Sequence, residues 1–115
     1  MALADVHNGS LGRRLRREVL ALRVVAVTMR VALRELDRLP PSGDRTTWAQ
    51  QLAQWIEGVL PYHHGRVAHL RDETPLPGTA GDEPPDVIAA LWGELEGAMA
   101  EAEAVAGETR ARAAE

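Results

Sequence analysis

The residues best suited to chemistry lie in one short stretch after Pro61, where three of the four histidines stand close to a tyrosine, Tyr62. Histidine binds metals and transfers protons near neutral pH. A helix that binds zinc through two histidines places them four residues apart, whereas His63, His64 and His69 are separated by one, five and six positions. A metal or small-ligand site is therefore one hypothesis for this stretch. A helical turn whose histidines bind nothing is the interpretation that the spacing favours.

A second candidate is the basic run formed by Arg13, Arg14, Arg16 and Arg17. Clustered arginines bind the phosphates of nucleic acids or of anionic lipids. This run contains no aromatic residue, no second basic cluster accompanies it, and the net charge of the chain is -4. A nucleic-acid-binding regulator is thus an alternative function. A solvated helix end, or a partner for acidic residues elsewhere in the chain, is the favoured interpretation.

Motifs of known enzyme classes are missing from the sequence. There is no cysteine, so thiolate metal sites and cysteine nucleophiles are excluded. Ser10 and Ser42 are the only serines, and the glycines are scattered rather than gathered into a phosphate-binding loop. Paired carboxylates such as Glu101 and Glu103 are typical of a solvated helical face. The sequence therefore predicts a protein that is not an enzyme and has no cofactor.

Proline and glycine divide the chain into segments that must position these residues. One cluster runs from Pro40 to Gly43, and the stretch 72–85 holds four prolines and two glycines. The intervening segments have helical periodicity. We therefore predict a single all-α domain over 1–115, a three- or four-helix bundle with a long loop at 72–85 and flexible ends at 1–10 and 107–115.

The first helix is predicted from about Leu11 to Leu39, with Ser10 as its N-cap. One face carries an apolar residue every seven positions, at Leu15, Leu22, Met29 and Leu36. A second face also follows a three-to-four spacing, at Leu20, Val24, Val27 and Val31. A helix that is apolar nearly all round is either central in a bundle or part of an interface. This second face favours self-association, with a dimer as the simplest form.

Two further helices are predicted. The second starts near Thr47, which has capping-box spacing to Gln50, and Pro61 should kink or break it. The third runs from Pro85 to about Ala106.

The three tryptophans either pack in the core or anchor an interface, because tryptophan is enriched at both places. They are Trp48, Trp55 and Trp92.

Charge is distributed unevenly along the chain. Residues 1–38 hold eight arginines against four acids, a balance of +4, whereas 82–115 hold two arginines against nine acids, a balance of -7. These segments can attract each other within one bundle or between two copies.

No signal peptide or membrane span is evident, which predicts a cytoplasmic protein. The favoured function is a non-catalytic interaction module, an adaptor, accessory subunit or regulator that binds another protein.

Overall fold

The computed structural model describes residues 10–73 and 83–115. These residues form three α-helices and no strand: α1 is Leu11–Asp37, α2 is Gly43–Glu73 and α3 is Pro85–Ala114. The prediction of an all-α bundle is confirmed in its three-helix form. The predicted N-terminal end up to residue 9 and residues 74–82 of the predicted loop lie outside the described residues.

The core forms where one face of each helix meets the other two. The heptad-spaced residues of α1 are buried, as the sequence predicted, and α2 contributes Ile56 and Leu60. Helix α3 presents three alanines to this core, Ala98, Ala102 and Ala106, beside larger aliphatic residues such as Leu91 and Leu95. Because alanine side chains are short, α3 can approach its neighbours closely and its contacts with α1 are extensive.

The helices run up, down and up. Arg14 near the start of α1 pairs with Glu73 at the end of α2, so these two helices are antiparallel. Arg16 pairs with Glu83 just before α3, and Asp37 at the end of α1 pairs with Arg112 at the end of α3, so α1 and α3 are parallel. The result is a rod of 55 × 27 × 19 Å.

Serine side chains cap the N-termini of the first two helices. The Oγ of Ser10 accepts a hydrogen bond from the backbone N–H of Arg13 at 3.2 Å, which confirms the predicted cap. The Oγ of Ser42 accepts one from the N–H of Arg45 at 3.2 Å. Helix α2 therefore begins at Gly43, and the predicted start near Thr47 is wrong because the serine cap acts one turn earlier.

Two helices extend further than their sequence pattern indicated. Helix α2 continues through Pro61 to Glu73, so the chain is not broken into two short helices there, and a kink at this proline stays a prediction. Helix α3 continues past Ala106 to Ala114. Thr109 is buried in this extension, and its hydroxyl donates to the Val105 carbonyl at 2.9 Å. Burial of Thr109 against the bundle helps to stabilise the added length.

Candidate functional site

Four aliphatic side chains form an exposed row on α1, which we call the α1 stripe. Leu20, Val24, Val27 and Val31 leave 63, 54, 59 and 50% of their surface in solvent. Their spacing of four, three and four residues matches the a and d positions of a heptad, so they lie along one line of the helix. The stripe faces away from the core that α1 shares with α2 and α3. Within the described residues, therefore, no other helix covers it.

Arginines continue the stripe at both of its ends. Arg13 and Arg17 precede it, and Arg34 and Arg38 follow it, at the same three-to-four spacing, and all four are exposed. The guanidinium groups of Arg17 and Arg34 make no hydrogen bond or ion pair with any described residue. The α1 stripe thus has an apolar centre between two positively charged ends.

The acidic residues near the C-terminal end of the stripe are already paired. Glu35 accepts a hydrogen bond from Arg38 at 3.0 Å, and Asp37 receives two from Arg112 at 2.9 and 3.0 Å. The hydrogen bond from Arg112 lowers the pKa of the Asp37 carboxyl. These carboxylates therefore leave the positive charge of Arg34 without compensation.

The three tryptophans occupy different environments. Trp48 and Trp92 are half-buried and pack against the core, and the Arg71 guanidinium lies 4.8 Å from the centre of the Trp92 ring. Trp55 is 43% exposed, and Tyr62, one heptad later on α2, is 60% exposed. Of the aromatic residues considered as interface anchors, Trp55 is the one that the surface presents most openly.

A buried carboxylate joins α1 to α2. Glu18 is 1% exposed. Its Oε2 lies 2.5 Å from Nδ1 of His63, and its Oε1 accepts a hydrogen bond from Nε of Arg66 at 2.7 Å. Arg66 also donates from Nη1 to the Tyr62 hydroxyl at 3.3 Å, and its hydrogen bond to Glu18 raises the pKa of the guanidinium. Two partners thus satisfy a carboxylate that would otherwise be costly to bury.

The sequence analysis did not identify Glu18 as a buried polar residue, although the apolar spacing of α1 indicates its position. Glu18 stands between Leu15 and Leu22 at core spacing, so helical periodicity places it on the buried face. A charged residue on such a face needs a partner of opposite charge or a hydrogen-bond donor. The bundle supplies both from α2, a contact between residues far apart in the sequence.

The predicted histidine cluster does not converge in space. His63 faces α1 and contacts Glu18, whereas Nε2 of His64 lies 2.7 Å from Oε1 of Glu103 on α3. Successive helical residues point about 100° apart, which separates these two rings. His69 lines a surface cavity with Tyr62. Among the described residues, no group of three His, Asp or Glu side chains could hold a metal ion.

That surface cavity has a volume of about 540 Å³ and lies between α1 and α2. One of its arginines, Arg14, is held by both carboxylate oxygens of Glu73, at 2.8 Å from Nη1 and 2.6 Å from Nη2. This hydrogen bonding lowers the pKa of the Glu73 carboxyl. The lining residues are Arg14, Arg17, Tyr62, Gly65, Arg66, His69 and Leu70.

The basic run at the start of α1 is partly used inside the molecule. Arg14 pairs with Glu73, and Arg16 pairs with Glu83 at 2.7 Å. Glu83 reaches this position over Gly12, where an added Cβ would lie 2.6 Å from the Glu83 Cγ. Arg17, by contrast, pairs with no described acid and lines the cavity between α1 and α2. The run is therefore not one continuous basic surface.

No protein-family model, curated protein or solved structure matches this chain. Within 10–73 and 83–115, no helix is long and apolar enough to cross a membrane. The features from which a function can be proposed are the α1 stripe, the cavity and the Glu18 network, which consists of Glu18, His63 and Arg66.

Proposed function

We propose that the protein is a non-catalytic interaction module that binds an amphipathic helix of another protein on the α1 stripe. The observation that carries this proposal is the exposure of four aliphatic side chains at heptad spacing on one helix. Exposed apolar side chains that adjoin one another are typical of interaction sites on soluble proteins. An amphipathic helix is the natural complement, because its apolar residues recur at the same spacing.

The charges at the ends of the stripe specify the chemistry of that helix. Between Arg13 and Arg38 the stripe and its ends extend for ~38 Å at 1.5 Å per residue. A complementary helix carries apolar residues in its centre and Asp or Glu near both ends, where they meet arginines such as Arg17 and Arg34 that pair with no described acid. Such charges also accelerate association by attracting the partner over a distance.

The same charges argue against a second copy of the chain as the occupant. An antiparallel pair of stripes would place Arg17 opposite Arg34 of the partner copy, and a parallel pair would place each arginine opposite itself. Glu35 and Asp37 are engaged with Arg38 and Arg112, so they are not available to neutralise these contacts. We therefore favour a different protein, while the dimer expected from the sequence stays a prediction.

A pair of synthetic helices tests the proposal directly. Both peptides carry leucine at four heptad-spaced positions, and one has glutamates at its two ends whereas the other has lysines. We expect the glutamate peptide to bind the full chain with one-to-one stoichiometry in isothermal titration calorimetry, at least about tenfold more tightly than the lysine peptide. Equal affinities would contradict the charge argument.

Stripe variants give the matched control. The double substitution Val24→Ser and Val27→Ser removes apolar surface from the centre of the stripe without touching the core. We expect it to weaken binding of the glutamate peptide by about 2 kcal/mol, or roughly 30-fold. Leu39→Ser removes an exposed apolar side chain that lies outside the stripe, and it should leave the affinity unchanged. Equal effects of the two changes would exclude the stripe as the binding surface.

The alternative functions have less support. One alternative is a small-ligand or metal-binding protein that uses Tyr62, His63, His64 and His69. The described histidines do not form a common site, which weakens the metal-binding form of this alternative. Pairing of Arg14 and Arg16 with Glu73 and Glu83 weakens the proposal of a nucleic-acid-binding regulator. Both stay predictions, as does a cytoplasmic location.

A further inference from the structure

We infer that the cavity between α1 and α2 is a binding site for a small organic oxyanion, a compound that carries a phosphate or carboxylate group next to an apolar part. None of the four α1 stripe residues lines this cavity, and Arg17 is the one residue that belongs both to the cavity lining and to a charged end of the stripe.

Positive charge and unused hydrogen-bond donors are concentrated at the cavity. The Arg17 guanidinium makes no hydrogen bond with a described residue, so none of its five N–H groups is used within 10–73 and 83–115. Arg66 uses Nε for Glu18 and Nη1 for Tyr62, so its Nη2 group has no partner in the part of the chain that the structure describes. Planar guanidinium groups bind phosphate and carboxylate oxygens through paired hydrogen bonds.

Buried and paired carboxylates hold two of these arginines before any ligand arrives. Glu18, at 1% exposure, fixes Arg66, and Glu73 holds Arg14 through both of its oxygens. A site whose groups are already ordered loses less entropy on binding. The two carboxylates offset the charges of Arg14 and Arg66, and Arg17 then gives the cavity a net positive charge.

The shape of the cavity suits an organic ligand better than a bare ion. Its volume of about 540 Å³ is within the range usual for small-molecule sites. The Tyr62 ring and the Leu70 side chain add apolar lining. Gly65 lies in the middle of α2, where glycine weakens a helix, and a Cβ added there would meet no atom within 4 Å. The space above Gly65 on this side of the cavity is therefore open.

Titration of the full chain with phenyl phosphate, inorganic phosphate and benzoate, followed by NMR at constant ionic strength, tests the inference. We expect saturable one-to-one binding of phenyl phosphate or benzoate, with the largest shifts at residues around the cavity and weaker binding of inorganic phosphate. The stronger of the two aromatic ligands identifies the preferred oxyanion. Shifts that grow linearly with every ligand, without saturation, would overturn the inference.

Two pairs of variants localise the site. Arg17→Ala should weaken phenyl phosphate binding about tenfold, whereas Arg34→Ala, an arginine on the same helix that also lacks a partner, should not change it. Gly65→Leu should abolish binding by filling the cavity, whereas Gly58→Leu, one heptad earlier on α2, should leave it intact. Equal losses within either pair, in proteins whose circular dichroism is unchanged, would contradict this assignment.

Discussion

At the scale of single residues, Glu18 is the most constrained polar group of the bundle. A carboxylate removed from water is costly unless charged or hydrogen-bonding groups replace its hydration. His63 and Arg66 do this from α2, so the position of α1 along α2 is coupled to one cluster of polar contacts. The same cluster fixes the Arg66 guanidinium at the edge of the cavity.

Removing the carboxylate should therefore destabilise the fold. We expect Glu18→Ala to lower the free energy of unfolding by about 3 kcal/mol, because it breaks a buried polar pair and leaves a cavity. Urea unfolding followed by tryptophan fluorescence measures this change. Glu35→Ala removes an exposed acid paired with Arg38, and as a control it should cost less than about 1 kcal/mol.

A double variant separates the polar contact from simple packing. Glu18→Leu together with His63→Leu replaces both buried partners by apolar side chains, and Arg66 is 45% exposed, so its guanidinium can turn to water. We expect the double variant to be more stable than Glu18→Leu alone. Losses that simply add would show that the contact between the two residues contributes nothing to stability.

At the scale of the helices, ion pairs join α1 to α3, with the arginines on α1 and the acids on α3 along most of their length. Arg16, Arg23 and Arg30 on α1 face acids on or just before α3, at 2.7 to 3.9 Å. At the end of the bundle the signs reverse, and Asp37 of α1 meets Arg112 of α3. A shift of one helix along the other would separate Asp37 from Arg112, so this contact at the end of the bundle favours the observed register. The attraction expected between the basic first segment and the acidic last one is thus present within a single chain.

These contacts predict a loss of stability in acid. Hydrogen bonds from Arg112 and Arg14 lower the pKa values of Asp37 and Glu73 in the folded state. Their contribution is therefore complete above the unfolded pKa values of 3.8 and 4.5 and is lost as the pH falls through the lower folded values. We expect Asp37→Asn combined with Glu73→Gln to flatten the pH dependence of urea unfolding between about pH 2 and 5. Asp72→Asn is the control, and a curve parallel to wild type in the double variant would contradict this origin of the acid sensitivity.

The sequence was sufficient to predict an all-α bundle of three or four helices, the core face of α1 and the cap at Ser10. It was less accurate for the start of α2, which the Ser42 side chain caps earlier than predicted. It was also less accurate for the end of α3, which burial against the other helices extends beyond Ala106. The Glu18 network and the cavity were not predicted, because each depends on the pairing of α1 with α2. Local patterns carry no information on which residues of two helices meet.

At the scale of the whole molecule, the described chain is a narrow rod with an uncovered apolar stripe along one edge. Because arginines lie at the ends of that stripe, salt should change the strength of binding there. The direction of the change distinguishes a partner helix with acidic ends from a second copy of the chain. At 0.1 M salt, charges are screened beyond about 10 Å. Salt should therefore weaken binding of a helix with acidic ends, because it screens an attraction. It should strengthen association of two copies, because it screens a repulsion between arginines.

The solution mass of the protein alone, measured by light scattering over a concentration series at low and high salt, tests the central claim most directly. We predict a monomer of 12.5 kDa at low salt, with the stripe available to a different protein. A stable dimer at low salt that Val24→Ser and Val27→Ser convert to a monomer would contradict the account, because it would make a second copy of the chain the occupant of the stripe.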